Sequence, residues 1–169
     1  DLKQQFNGRI ERFIVDPFRR SYLEYLKSIS RGDDSTSSLS LHPVLASGLK
    51  ILGSSFSPLR EFLAPELFTE LVGSIADEIG ELMLAELLSS EISLTERSAN
   101  QLRFDVERGV LQIFQTIVTD SERRLSAVLE AGVLVSLSSS EWLLATRTDE
   151  DTAFRALLAD KCRGQIQMD

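Results

Sequence analysis

Between Pro65 and Ser89 the sequence places Leu67, Leu71, Ile75, Ile79, Leu82 and Met83 at steps of three or four residues, and Leu87 continues the series. That spacing lines one face of an α-helix, whereas a half-buried strand needs alternation with a period of two. The remainder of the chain repeats the helical pattern and offers neither strand alternation of useful length nor an internal repeat. A chain built from such stripes has to bury helix against helix, so the expected fold is an all-α bundle.

Length and composition agree with one core. At 169 residues the chain can bury a sizeable interior and need not divide into two domains. It is 43% hydrophobic but only 7% aromatic, which suits helices packed by aliphatic side chains. A net charge of −8 excludes the basic footprint that nucleic acid requires, and it disfavours docking on anionic lipid by charge. The single cysteine, Cys162, cannot form an internal disulfide and fits a reducing, cytosolic compartment. No apolar run is long enough to span a bilayer. The chain opens at Asp1 close to a helical pattern, as a piece of a longer protein would.

The expected organisation is a single domain over 1–169. A first helix, 1–30, carries Phe13, Ile14, Phe18, Tyr22, Tyr25 and Leu26, and Pro17 should break or kink it. "RGDDSTSS" (31–38) reads as a flexible loop, and the remaining helices occupy 39–169. A second helix is expected from Leu39 to Ser57, ended by Ser57-Pro58, with a short turn at 59–63. Pro65 suits the first position of a third helix running to about Ser89. Ser93 and Glu96 make a capping box for a fourth, which should reach about Val118. Asp120 or Ser121 can cap a fifth running to Leu137. Ser138 with Glu141, and Thr148 with Asp151, repeat the capping spacing before the last helical stretches. The total is six or seven helices.

The fourth helix is unusual in carrying two apolar arcs. At about 100° per residue, Ala99, Leu102, Val106, Val110, Ile113 and Ile117 fall on one arc, and Phe104, Leu111, Phe114 and Val118 on the next. Arg97, Gln101, Asp105, Arg108, Gln112 and Gln115 form the polar strip, with Gln101–Asp105 and Asp105–Arg108 at pairing distance along the helix. Arg108 on the same strip should keep Asp105 ionised. A catalytic carboxylate would want a second acid or a histidine converging on it, and none lies nearby in sequence.

Other chemistry is poorly supported. "GLKILGSS" (48–55) imitates a phosphate loop but has Ser54 where the lysine belongs, and no strand precedes it. His42 is the only histidine, stands before Pro43 at an expected helix start, and reads as a loop or capping residue. No cysteine or histidine partners sit at metal-ligand spacing, so neither a metal nor a cofactor is expected. Charge, by contrast, is patterned. Residues 61–96 contain nine acids and no lysine or arginine, while residues 1–30 contain six basic residues. Glu70, Asp77, Glu78 and Glu81 could be a solvated face complementing that basic neighbour, or a docking face for a basic partner helix.

The stretch "LSSEISLTERSANQLRFDVERGVLQIF" (88–114) resembles the carboxyl-terminal helical region of the RINT/TIP family, tethering subunits of the NRZ/Dsl-type complex on the endoplasmic reticulum. The motif positions are Gln101, Leu102, Phe104 and Asp105 after the small pair Ser98-Ala99, with Leu111 and Phe114 following in register. "EAGVLVSLSSSEWLLA" (130–145) is similar to the family's next helix, and the resemblance is strongest over about residues 60–145. It departs from the family where Thr95-Glu96-Arg97 stands in place of glycines. The resemblance implies the end of an elongated CATCHR-type helical rod that captures Golgi-derived vesicles in retrograde transport. It implies no catalysis, SNARE segments and other tether subunits as partners, and a peripheral, indirect association with the reticulum membrane. A bundle of an exocyst or motor-tail type would share this architecture. A ligand-binding or enzymatic bundle would instead gather Asp105, Gln101 and Arg108 around a pocket.

Overall fold

The computed structural model describes residues 2–31, 40–89 and 94–136. Seven α-helical segments and one π-helical turn make up the fold: α1 (Leu2–Ser30), α2 (Pro43–Phe62), α3 (Pro65–Ser89), α4 (Glu96–Asp105), the π turn (Val106–Val110), α5 (Leu111–Gln115), α6 (Ser121–Arg124) and α7 (Ser126–Val135). With α4, the π turn and α5 taken as one continuous rod, there are six helices, and no strand occurs among the described residues. The all-α expectation is met. All of the expected 31–38 loop except Arg31 lies outside the described residues, as do the capping motifs at 138–141 and 148–151 and Cys162.

Helix α1 buries Ile14, Phe18, Tyr22, Tyr25, Leu26 and Ile29 against α2 and α3. Helix α3 turns its other side to α6 and α7, and α4 packs on α7 and on α1. The buried side chains of all these elements except α6 merge into a single cluster. The face that α3 buries is centred on Phe68, Leu71, Val72, Ile75, Ala76, Ile79 and Met83, rotated from the expected stripe so that Leu67 is exposed. Tyr22 lies fully inside, its phenol donating to the Met83 carbonyl at 3.3 Å. Burial, followed by the nearby Glu86 charge, holds that phenol far above its ordinary titration range.

Pro17, expected to break or kink the first helix, and Pro58, expected to end the second, both sit inside helices. Helix α1 runs through Pro17 and α2 through Pro58. Each proline removes one bond to the carbonyl four residues earlier, Phe13 and Ser54 respectively. Phe13 is 80% exposed and Ser54 is exposed, so the forfeited bonds fall on the wet side of each helix. The 59–63 turn is thereby absorbed into α2, whose last turn is closed by the Leu63 N–H on the Leu59 carbonyl.

Helix starts also differ in detail. Helix α2 begins at Pro43, with His42 as its N-cap, rather than at Leu39. The cap of α4 is Thr95, whose hydroxyl accepts from the Ser98 N–H; Leu94 and Thr95 are not helical, so a start at Ser93 is ruled out. The rod ends at Gln115, short of Val118. The fifth helix is broken at Leu125 into α6 and α7. Asp120 occupies the cap position of α6, but its carboxylate is taken by Arg123 and Arg124 instead of by backbone N–H groups.

The π turn is the feature that constant-step periodicity misses. Its Leu111 N–H bonds the Val106 carbonyl, five residues back, which inserts one residue into the helical count. Up to the first residue of the turn Ala99, Leu102 and Val106 are buried; after the turn the buried positions are Leu111, Phe114 and Val118. The core stripe has stepped from the first apolar arc to the second. Ile113 and Ile117, which would have continued the first arc, are only partly covered.

Candidate functional site

The polar strip of the fourth helix does not face water at its centre. Asp105 is 0% exposed, and Gln101 and Arg103 are also buried. What covers Asp105 is the segment Ser40–His42 entering α2, more than 60 positions away in sequence. The His42 backbone N–H donates to Asp105 Oδ1 at 3.0 Å, and Gln101 Nε2 donates to the same oxygen at 3.0 Å. Gln101 Nε2 also donates to the Ser40 carbonyl at 2.7 Å. Among the described residues Oδ2 has no partner at ordinary hydrogen-bond geometry, and the Tyr25 phenol and the His42 ring also act on the carboxylate.

This environment overturns the expectation that Arg108 keeps Asp105 ionised. Arg108 is exposed, and Asp105 takes its bonds from His42 and Gln101. Burial raises the Asp105 titration above the ordinary carboxylate range; the bonds from Gln101, the His42 backbone and Tyr25 pull it back only in part. The expected Gln101–Asp105 pair is present. The Asp105–Arg108 pair is not among the ion pairs of the described residues.

His42 brings a third element into the cluster. Its Nδ1 accepts from the Val44 N–H at 3.3 Å, which caps α2, and its Nε2 lies 3.3 Å from Ser28 Oγ at the end of α1. The ring also meets Tyr25 edge-on, with centroids 5.2 Å apart. Close by, Ser98 Oγ donates to the Ile29 carbonyl at 2.6 Å. Ser28, Tyr25 and Ser40 were not singled out from sequence. Nothing local marks them, and only the His42-Pro43 helix start pointed to this corner.

Ser28, His42 and Asp105 are the residue types of a hydrolytic triad, but the connectivity is wrong. A triad needs the carboxylate on the imidazole Nδ1–H so that Nε2 can accept the serine proton. Here Nδ1 is itself an acceptor, leaving Nε2 as the protonated nitrogen of the neutral ring, and the carboxylate binds the His42 backbone. The arrangement joins the end of α1, the start of α2 and α4. Among the described residues no group of three or more His, Cys, Asp or Glu side chains could hold a metal.

On the same turn Leu102 is buried in the core and Phe104 is half-buried. The acidic residues of α3 are spread differently. Asp77 pairs with Arg124 Nη1, and Arg124 Nε also holds Asp120 Oδ1 at 2.9 Å. Glu86 accepts from Arg19 of α1 at 2.6 Å. Glu70 and Glu81 are exposed, and Glu78 is half-buried. Part of the acidic run is therefore matched inside the chain, including one pair to the basic first helix.

The described residues form helices around one continuous core, and buried polar groups join three of those helices. The chain belongs to the RINT-1/TIP-1 family, whose sequence profile matches residues 1–168. The match extends well beyond the 60–145 region of strongest motif resemblance, to the first helix and the carboxyl end. This is a family of tethering subunits in membrane trafficking, working in complexes with other subunits. No curated protein and no solved structure matches the chain. No helix among the described residues is long and apolar enough to cross a membrane.

Proposed function

We propose that this chain is a non-catalytic interaction module of a vesicle tether, supporting Golgi-to-reticulum retrograde transport by binding SNARE segments or other tether subunits. It would act peripherally at the endoplasmic reticulum, with membrane contact through partners. Family membership over residues 1–168 carries the reading. The use made of Asp105 supports it: the one carboxylate with a markedly perturbed environment near a histidine binds backbone and amide donors, not a reacting group. The motif residues Gln101, Leu102, Phe104 and Asp105 then serve the fold, and partners are met on the outer faces.

The exposed side of α3, with Glu70, Glu78 and Glu81, is the proposed docking face for a basic partner helix. Asp77 belongs to the same acidic run, but its carboxylate already holds Arg124. The test is a pull-down from membrane extract with Glu70, Glu78 and Glu81 reversed to Lys and Asp77 left intact, so that the Arg124 contact survives. Loss of reticulum SNAREs or tether subunits on charge reversal, with unchanged far-UV circular dichroism, is the expected result. Equal capture by both forms would dismiss the acidic face; capture of no trafficking protein by either form would sink the tether reading.

A further inference from the structure

A groove of about 650 Å³ runs between α2 and the rod formed by the π turn and α5, with Phe68 of α3 also lining it. Ala46, Leu49, Gly53 and Phe56 of α2 supply one apolar wall at helical spacing, and Ile113 and Ile117 supply part of the other. Those two isoleucines are the ones that the π turn displaces from the core stripe. The rim carries Lys50, Arg60 and Arg108, all exposed, and none of the described residues lining the groove is a carboxylate. None of the three cations forms an ion pair among the described residues, whereas Arg19, Arg103, Arg123 and Arg124 all do.

Shape and charge together select an occupant. Lys50 and Arg60 stand ten residues apart on α2, so the groove extends about 15 Å, roughly three helical turns. An apolar trough of that length suits a row of side chains from one amphipathic helix, read at i, i+3, i+4 and i+7. Cations on both walls then require carboxylates on the flanks of that helix. We infer that this groove docks an acidic amphipathic helix from a partner protein. The net charge of −8 does not forbid this. At physiological salt the field of distant acids is screened beyond about 8 Å, while rim charges act at contact.

Gly53 offers a clean probe, because a Cβ placed there meets nothing within 4 Å. A bulky side chain would fill the trough without disturbing the core. The experiment measures fluorescence anisotropy of a labelled amphipathic peptide of about four turns, with leucines at helical spacing and glutamates on both flanks. The comparison peptide has lysines for the glutamates. The 169-residue chain is expected to prefer the glutamate peptide by at least about tenfold. Gly53→Leu should remove that binding with circular dichroism and melting temperature retained. Reversal of Lys50, Arg60 and Arg108 to Glu should invert the preference. Equal binding of the two peptides, no binding of either, or binding unaffected by Gly53→Leu would overturn the inference. So would stronger competition by phosphatidylserine vesicles than by unlabelled peptide, which would make the ligand a lipid. Binding that appears only after removal of residues 137–169 would make the occupant the chain's own end and would likewise refute it.

Discussion

Replacing Asp105 separates two contributions that the buried node combines, an acceptor for two donors and a charge. In Asp105→Ala the His42 N–H loses its acceptor within the fold, because Oδ1 at 3.0 Å is the partner it has. A buried donor left unsatisfied costs about 1–3 kcal/mol. Gln101 Nε2 loses one bond but keeps the Ser40 carbonyl at 2.7 Å, so its share is smaller. Relief of the buried charge offsets part of the loss. The net expectation is a destabilisation of about 2–3 kcal/mol, or roughly 4–12 °C in melting temperature for a chain of this size. Asp105→Asn keeps an oxygen for both donors and removes the charge, so it should lie within about 1 kcal/mol of the native protein. Urea and thermal unfolding followed at 222 nm measure both. If alanine costs under about 0.5 kcal/mol, or if asparagine is as damaging as alanine, the acceptor geometry is not what holds this corner together.

Four further outcomes follow from the same structure. The native protein, compared with Asp105→Asn across pH, should lose relative stability as pH rises from about 4 through the raised native titration of Asp105, then level off. The sign follows because burial makes the folded state bind that proton more tightly than the unfolded chain does, and unfolding curves between pH 3 and 8 read it out. Gly109→Ala should destabilise by about 1–3 kcal/mol, because its Cβ would stand 2.6 Å from Leu41 Cδ1 and 2.9 Å from Leu49 Cδ1. Gly53→Ala, facing open space, should instead stabilise by about 0.5–1 kcal/mol in the same denaturation assay. Arg124→Lys should lower the melting temperature at low salt and less so at 1 M NaCl, since one ammonium cannot bridge Asp77 and Asp120 as the guanidinium fork does.

Sequence periodicity was sufficient for the class of fold and for the limits of α3, where propensity, Pro65 and apolar spacing agree. It erred where the deciding interaction was remote. Pro17 and Pro58 mark helix ends only if the carbonyls they orphan would otherwise be buried, and sequence does not say which face is wet. Asp105 looked solvated because the wheel of its own helix gives it polar neighbours. The Ser40–His42 segment that covers it is distant in sequence, and no pattern within residues 97–118 announces its arrival. The two arcs of the fourth helix were visible, but a fixed angular step cannot show that the core uses one arc before Val106 and the other after Val110.

The node and the π turn are better understood as one construction. The Ser40–His42 segment is fastened to Asp105 and Gln101 on the last turn of α4, immediately before the helical count slips. Leu41 and Leu49 lie against the rod at Gly109, where an added Cβ would force the ends of both leucines to shift. A rod held this close by α2 must still deliver Phe114 and Val118 to the core, and an uninterrupted α-helix would have delivered Ile113 and Ile117. The extra residue of the π turn makes that correction. Its by-product is a pair of isoleucines left facing the groove beside α2, between cations that no acid of the described residues pairs with. The same buried carboxylate thus fixes the geometry of the groove inferred above to receive another helix.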